Sequence, residues 1–357
     1  MKKICFIAQF PPPIHGLSKA VDTLFNSRLS SEYEFEKVDI TNNKKFLSNL
    51  SKISKSDADL FYFTISQTKG GNFRDLMILK LLERQNKKCL VHLHGGYYRT
   101  LVENELGLSQ KKSNFNAMGK VSGAIVLGPS LKNIFEGMVP DKKIYTVPNC
   151  VDDEYMISDE EFEKKISSFN DRKVKHVLYL SNFIKSKGYP EVLKLAVSEK
   201  ARVDNGGEKR FHFDFAGAFF DKADEEFFNS FIKENALEDY VTYHGIVSGE
   251  KKRELLKASD IFVLLTRYPK EGQPISILEA MGNGMMIVTT DHAGIPDIVG
   301  DGNIICKSDS DYENIDLTKV SIDIERQNRE AVKSLYSQEN YIGNMERVFN
   351  EVLADGN

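Results

Sequence analysis

The alternation of strand-like and helix-like segments is the feature of this sequence that most limits its fold. Residues 2–8 form an almost continuous apolar run, which is typical of a strand buried on both faces of a parallel sheet. Helical stretches separate this run from the strands that follow, and such alternation predicts right-handed crossover units in an α/β fold. The further strands are predicted at residues 35–40, 59–65, 88–93, 122–127, 143–147, 175–181, 211–216, 240–245, 260–266 and 285–290.

Chain length and one strand-poor stretch predict the domain organisation. At 357 residues the chain is long enough for two domains with separate cores. Residues 151–173 follow a Pro-Asn turn and form an acidic, amphipathic segment without strand character, so we interpret them as a linker. The prediction is a doubly wound N-terminal domain over residues 1–150 and a doubly wound C-terminal domain over residues 174–334. We expect the two domains to face each other across a cleft.

Composition argues against several classes of protein. No stretch of about 18 apolar residues occurs, so no transmembrane helix is expected. The apolar part of the N-terminal segment is too short for a signal peptide, and we predict a cytoplasmic protein. The four cysteines lie far apart and lack the spacing of metal ligands, which favours free thiols.

Charge is distributed unevenly between the two parts of the chain. Residues 1–150 hold 22 Lys and Arg against 13 Asp and Glu, whereas the remainder holds 26 against 39. The basic part could meet a nucleic acid, an anionic membrane surface or a phosphorylated acceptor, or it could be an unevenly charged solvated surface. A nucleic acid is the least favoured of these partners because no binding motif accompanies the basic residues.

Two glutamates stand at the two ends of a predicted turn-to-helix junction. Pro274 fits the first turn of a helix over residues 274–282, because the N–H that proline lacks would be unpaired there anyway. Glu271 lies in the preceding loop, close to the free N–H groups of the helix start, which attract phosphate or carbonyl oxygens. Glu279 lies inside the helix. The plain alternative is a surface loop followed by one satisfied glutamate.

This segment, together with the glycine and strand that follow it, resembles the paired-glutamate signature of glycosyltransferase family 4. The glutamate spacing and the glycine after Glu271 both match. Members of that family are retaining nucleotide-sugar transferases with a GT-B fold. The resemblance therefore implies an acceptor site on the first domain, a nucleotide-sugar site mainly on the second, and a last helix, from about residue 335 to 357, that crosses back onto the first domain.

A second resemblance to the family lies at the strand end around residues 91–99. His94 ends a predicted strand, where ligands of parallel sheets bind, and it matches the histidine that faces the donor sugar in the family. His92 shares its strand face, so a metal pair is conceivable, but no third ligand is placed by the sequence and we predict no metal. Tyr97 and Arg99 follow and are predicted to bind the acceptor.

Two strand-to-helix turns are candidate phosphate sites. Gly16 precedes the first helix, although its loop lacks the glycine fingerprints of dinucleotide or triphosphate binding. In the second domain, Lys187 matches the family lysine that holds the nucleotide diphosphate. Asn182 stands where the family has an arginine. Either Lys185 supplies the second charge, or the site relies on one lysine and on helix N–H groups; solvated lysines on a turn are the plain alternative.

The resemblance implies roles for these residues in one reaction. The acceptor hydroxyl would attack from the side of the leaving group, with a phosphate oxygen taking the proton. Glu271 as a covalent nucleophile is a less favoured route. We predict that Lys187 stabilises the leaving phosphate and that Glu271 and His94 position the sugar. The residues predicted to bind the donor are Gly16, Asn182, Lys185, Gln273, Ile275, Ser276 and, through the ribose hydroxyls, Glu279.

The function predicted from the sequence is transfer of a hexose from a UDP- or GDP-sugar to a glycan, without metal or other cofactor. A lipid-diphosphate-linked acceptor would suit assembly of a bacterial capsule or other surface polysaccharide. Basic clusters at residues 44–47 and 111–115 suggest reversible contact with the inner face of the cell membrane. Two alternatives stay open: a nucleotide-sugar epimerase, and a catalytically silent partner subunit, which the asparagine at position 182 would permit.

Overall fold

The structure is a computed structural model that describes residues 1–12 and 16–355. The chain forms two compact units, each built around one six-stranded sheet. Unit 1 consists of Met1–Cys150, Pro269–Gln273 and Gln338–Asn357. Unit 2 consists of Val151–Tyr268 and Pro274–Ser337. No helix of the described residues is long and apolar enough to cross a membrane.

The sheet of unit 1 consists of parallel strands flanked by helices. Its strands are β1 (Lys3–Ala8), β2 (Glu34–Asp39), β3 (Leu60–Thr64), β4 (Cys89–His92), β5 (Gly123–Val126) and β6 (Ile144–Thr146). Its helices are α1 (Gly16–Phe25), α2 (Phe46–Lys55), α3 (Lys69–Arg84), α4 (Tyr98–Thr100), α5 (Leu108–Met118) and, at the end of the chain, α12 (Gln338–Ala354). The strand order is β2-β1-β3-β4-β5-β6, so the order reverses between β1 and β3.

Unit 2 repeats this architecture with a different strand order. Its strands are β7 (Lys175–Leu180), β8 (Phe211–Ala216), β9 (Val241–Tyr243), β10 (Ile261–Leu264), β11 (Met286–Thr290) and β12 (Ile304–Cys306). Its helices are α6 (Asp159–Ser167), α7 (Tyr189–Asp204), α8 (Lys222–Glu234), α9 (Gly249–Ala258), α10 (Ile275–Gly282) and α11 (Ile322–Leu335). Read from β9 to β12, the parallel strands follow the Rossmann order 3-2-1-4-5-6, with the reversal between β7 and β10.

Helix α12 packs on the sheet of unit 1. Its apolar residues recur at steps of three and four, so they share one face of the helix, and Tyr341, Met345 and Phe349 are buried there. The Phe349 ring meets those of Phe6 on β1 and Tyr62 on β3, with centroids 6.3 and 5.9 Å away. The predicted α/β fold, including the return of the last helix to the first unit, is confirmed.

Some local predictions needed correction. Residues 151–173, interpreted from the sequence as a linker, contain α6 and lie in unit 2. Pro274 is the N-cap of α10, so the helix begins one residue later than predicted. Ile275, the first residue of α10, is half-buried, whereas Ile277 is fully buried. The last helix, expected from about residue 335 to 357, is α12 (Gln338–Ala354).

Candidate functional site

The turn after β7 lies at the point where the strand order of unit 2 reverses, which is the usual place for a nucleotide in such sheets. Gly188 ends this turn with φ +85°, and a Cβ at this position would lie 2.4 Å from the carbonyl oxygen of Leu265. The backbone N–H of Arg267 donates to the carbonyl of Ser186 at 2.7 Å. Gly188 allows the turn to approach the segment after β10 closely, and the hydrogen bond from Arg267 holds it there.

Lys187 occupies that turn, immediately before the start of α7. Its ammonium lies 4.8 Å from the centroid of the Tyr268 ring, beside the exit of β10. Lys185 lies on the same turn, but its ammonium is 5.4 Å from the ring of Phe227 on α8. The two lysines thus contact different neighbours, and only Lys187 is directed to the exit of β10.

Asn182 is exposed on the same turn, and its carbonyl accepts hydrogen bonds from the Tyr179 hydroxyl and from the Ile184 N–H. A nearby guanidinium that sequence reasoning missed belongs to Arg267. It donates to the carbonyls of Asp291 and, at 3.4 Å, Cys306, where β11 and β12 end. Arg267 directly follows a predicted strand, which is the only sequence signal that could have drawn attention to it.

Glu279 is buried in α10 and is paired with a residue that sequence reasoning also missed. The Lys252 ammonium on α9 lies 2.6 Å from its carboxylate, with side-chain exposures of 16% and 5% for the lysine and the glutamate. The same ammonium lies 3.9 Å from the centroid of the Tyr155 ring. Lys252 is one of several lysines in its helix, so the sequence does not distinguish it. Ile275 and Ser276 begin α10, whose N-cap, Pro274, provides no side-chain hydrogen bond.

In unit 1, hydrogen bonds made by Gln273 hold the segment Pro269–Gln273 in place. The side-chain oxygen of Gln273 accepts from the backbone N–H of Asn149 at 2.7 Å, and the Asn149 side chain donates to the Gln273 carbonyl at 2.9 Å. The Gln273 side-chain amide also donates to the carbonyl of Leu127 after β5. The Gln273 side chain, predicted to bind the donor, is therefore engaged with the main chain of its own unit.

This fastening brings Glu271 to His94. A Cβ added to Gly272 would lie 2.7 Å from the His94 carbonyl oxygen and 2.8 Å from the Gly95 Cα, so only glycine permits this approach. Glu271 itself is buried, with 8% exposure. Two residues 177 positions apart, each identified separately in the sequence, thus lie in neighbouring backbone segments of unit 1.

A buried polar chain supports His94. Its ring stacks on that of His92 with centroids 3.9 Å apart, and Nδ1 of His92 lies 2.7 Å from the Tyr62 hydroxyl. Burial, together with the nearby His94, lowers the pKa of His92 well below its usual value, so His92 is neutral. Among the residues that the structure describes, no group of three His, Cys, Asp or Glu side chains could hold a metal ion.

The predicted acceptor residues have different surroundings. The Tyr97 N–H donates to the Gln67 side chain at 2.6 Å and its hydroxyl donates to Glu105. The Arg99 guanidinium donates to the carbonyls of Asn133 and, at 2.7 Å, Glu136, and it also pairs with Glu103. Arg99 is therefore engaged in holding its own region together.

The remaining predicted donor residue, Gly16, is the exposed first residue of α1. It follows β1, which borders the point where the strand order of unit 1 reverses. Residues 13–15 of the predicted phosphate loop lie outside the described part of the chain.

Two Rossmann-like units, one with the strand order of nucleotide-binding sheets, define the GT-B class of glycosyltransferase folds. Comparison with known proteins matches one half of the chain to a family. Residues 159–335 match the family described as "Glycosyl transferases group 1". All of these residues except 269–273 lie in unit 2.

Two relatives that are at least 30% identical match over shorter segments. The chain is 30% identical to mannosylfructose-phosphate synthase of Agrobacterium fabrum over 124 residues, which are 34% of this chain and 26% of the relative. It is 33% identical over 75 residues to a putative colanic acid biosynthesis glycosyltransferase, WcaL, of Salmonella typhimurium, covering 20% and 18% of the two chains. The matches thus span about a quarter and a fifth of these relatives.

A solved structure matches almost the whole chain. Anabaena Alr3699/HepE, in complex with UDP and glucose, superimposes with a TM-score of 0.70, covering 98% of this chain and 100% of that one. The sequence identity is 14%, so this likeness concerns the fold alone.

Proposed function

We propose that this protein is a retaining glycosyltransferase of family 4 that transfers a hexose from a nucleotide-sugar to a glycan. The observation that carries the proposal is the position of Lys187 at the strand-order reversal of a Rossmann sheet in unit 2. The family match of residues 159–335 and the fold shared with a UDP-bound protein support it.

In unit 2, the groups that bind the nucleotide would be Lys187, the N–H groups at the starts of α7 and α10, and Glu279. Negative charge grows on the leaving phosphate during transfer, and Lys187 would stabilise it. One well-aimed donor of this kind contributes about 3 kcal/mol. Glu279, held by Lys252, would accept the ribose hydroxyls. Positive charge and helix N–H groups could neutralise the phosphates without a metal ion.

In unit 1, His94 and Glu271 would position the transferred sugar. Neutral His92 and the Tyr62 hydroxyl orient the His94 ring, and Gly272 sets the backbone approach of the Glu271 segment. With retention of configuration, the acceptor hydroxyl attacks from the leaving-group side and its proton passes to a phosphate oxygen. The new glycosidic bond forms as the bond from the anomeric carbon to the phosphate oxygen breaks.

The proposed acceptor is a lipid-diphosphate-linked glycan of a bacterial surface polysaccharide such as a capsule. A relative named for colanic acid biosynthesis supports this class of product. Reversible contact with the inner face of the cell membrane would bring the enzyme to such an acceptor, and the basic charge of residues 1–150 favours that contact.

A donor screen tests the proposal. Wild type and Glu271→Ala are incubated with a panel of UDP- and GDP-sugars, and release of nucleoside diphosphate is followed. We expect one donor to be turned over, and roughly a hundredfold loss of rate in the variant because the sugar is no longer positioned. Glu234→Ala, at an exposed position on α8, is the matched control and should behave as wild type.

The products separate the alternatives. An altered sugar that forms without any acceptor and stays attached to its nucleotide would identify an epimerase. Binding of a nucleoside diphosphate without turnover of any donor would identify a silent partner subunit, an alternative that Asn182 in place of the family arginine permits.

A further inference from the structure

Three helices of unit 1 present large apolar side chains to solvent close to their first turns. The side chains of Leu47 on α2, Phe73 on α3 and Leu108 on α5 are 78%, 63% and 87% exposed, and Met77 lies one turn beyond Phe73. Helices α2 and α3 follow the parallel strands β2 and β3, so both begin at the carboxyl edge of the sheet. We call the outward side of these three helices the α2–α3–α5 face.

Hydrogen bonds from polar side chains of α3 connect it with α5 and with the segment that precedes α2. Asn72 on α3 donates to Asn114 on α5 at 2.7 Å and accepts from Gln110 at 2.9 Å. Arg74 on α3 donates at 3.3 Å to the carbonyl of Ile40, in the segment between β2 and α2. Phe73 lies between Asn72 and Arg74 in sequence, so it stands between the two sets of contacts.

The same face is basic. Residues 43–55 and 108–120 together contain seven lysines and no acidic residue, and Glu105, just before α5, is paired with Lys69 of α3 at 3.7 Å. Lys44, Lys45 and Lys112 are exposed beside the apolar side chains. Further along α3, Lys80, Glu83 and Arg84 are exposed and add a net charge of +1.

Single exposed apolar residues are ordinary, but a group of them needs an explanation. Among the described residues, nine large apolar side chains are exposed, and four of the nine lie on the α2–α3–α5 face. Aliphatic and aromatic side chains surrounded by lysines on helices match a bilayer interface, where the apolar groups enter the acyl boundary and the cations meet anionic headgroups. A nucleic acid would use the lysines but leave Leu47 and Leu108 without a role.

We propose that the α2–α3–α5 face docks on an anionic lipid bilayer, with Leu47, Phe73 and Leu108 entering the interface. The inference rests on the membrane contact of the proposed function, to which it adds the residues, but not on the chemistry of sugar transfer. Such docking places the carboxyl edge of the unit 1 sheet, where β4 leads to His94, close to the headgroups. A lipid-linked glycan would then meet that edge without leaving the bilayer.

Flotation of the full chain with vesicles tests this docking. Vesicles of phosphatidylcholine are compared with vesicles that also contain phosphatidylglycerol, at low and high salt. We expect binding to the anionic vesicles only, weakened by salt because screening shortens the range of the attraction. Equal binding to both kinds of vesicle, or no binding to either, would overturn the proposal.

Substitutions then locate the surface. The triple variant Leu47→Ser, Phe73→Ser, Leu108→Ser should bind at least roughly tenfold more weakly, since its apolar contribution is lost. Lys44→Glu and Lys112→Glu should each weaken binding by about fivefold, the equivalent of about 1 kcal/mol per basic contact. Phe220→Ser removes an equally exposed ring, 73% accessible, from unit 2 and should change nothing.

Two further measurements distinguish membrane docking from dimerisation and from misfolding of the triple variant. Light scattering reports the oligomeric state: if wild type is a dimer that the triple variant breaks, the face is an interface between copies of this chain and the docking proposal is wrong. Nucleoside diphosphate release without vesicles should be equal in wild type and triple variant, which also shows that the variant is folded. If no donor is turned over by wild type, the proposed function fails while flotation still decides the docking.

Discussion

Units 1 and 2 share an architecture but differ in net charge and in whether short sequence motifs indicate their proposed roles. Each has a six-stranded parallel sheet, but the strand order is 2-1-3-4-5-6 in unit 1 and 3-2-1-4-5-6, the Rossmann order, in unit 2. Unit 1 contains 24 basic and 18 acidic residues, a formal +6, whereas unit 2 contains 24 and 34, a formal −10. The family match falls almost entirely within unit 2.

This difference has a chemical reason under the proposed function. Diphosphate and ribose are the same in many nucleotide-sugar donors. Two simple groups can therefore bind them: a lysine that precedes a glycine, and a glutamate that lies in a helix. Acceptors vary, and a membrane surface is recognised by the sum of many weak contacts. The donor half is therefore recognisable as short motifs, whereas unit 1 shows its role mainly in surface charge and exposed apolar groups.

The largest expected effect concerns the two lysines of unit 2. Lys187→Ala should lower the rate of nucleoside diphosphate release by a few hundredfold, equivalent to about 3 kcal/mol, because one donor to the leaving phosphate is lost. Lys185→Ala is the matched control on the same turn and should lose less than about fivefold, as its ammonium lies over Phe227. Equal losses in both variants would mean that the two lysines act as a pair.

A buried carboxyl group in unit 2 leads to a prediction about how stability depends on pH. Glu325 on α11 is fully buried, neither of its carboxylate oxygens accepts a hydrogen bond from the described residues, and burial raises its pKa to about 7 although Lys165 lies nearby. A raised carboxyl pKa means that stability present below pH 4.5 is lost as the pH rises through about 7.

Glu325→Gln, which cannot ionise, should flatten this pH dependence. The measurement is the denaturant midpoint between pH 4.5 and 8 for wild type, for this variant and for Glu313→Gln, whose position is exposed. Parallel profiles for wild type and Glu325→Gln would show that the Glu325 carboxyl does not titrate in this range.

In unit 1, Gly272→Ala tests the approach of the Glu271 segment to His94. The added methyl would meet backbone atoms at 2.7 and 2.8 Å, so we expect the free energy of unfolding to fall by about 2 kcal/mol and activity to fall with it. Gly70→Ala is the control, because nothing lies within 4 Å of its added Cβ and alanine favours a helix. A fully active, equally stable Gly272→Ala would contradict the tight contact.

The smallest expected effect concerns the Lys252–Glu279 pair of unit 2. Lys252→Met keeps much of the length of the side chain but removes the charge that lies 2.6 Å from Glu279. We expect KM for the nucleotide-sugar to rise about tenfold, equivalent to about 1.4 kcal/mol, with kcat nearly unchanged, because ribose binding is the same before and during transfer. The control is Lys251→Met, which changes a neighbouring lysine and should leave KM unaffected. If Lys252→Met instead lowers only kcat, Lys252 acts on the reaction itself.

Much of the fold followed from the sequence, with errors that have physical causes. The alternation of strands and helices was predicted correctly because buried parallel strands are continuous apolar runs. The strand β12 (Ile304–Cys306) was missed because three residues give too little pattern.

The sequence by itself determined the α/β class and supplied the motifs around Lys187 and Glu279, because these features depend on residues close together in the chain. The return of the last helix was expected from the family resemblance alone. The tertiary structure decided that Lys252 pairs with Glu279, that Gly272 contacts His94, and that Leu47, Phe73 and Leu108 share one face. These contacts join segments far apart in sequence. No local sequence pattern encodes these contacts. They depend on which loops and which first turns of helices become neighbours when the sheets form.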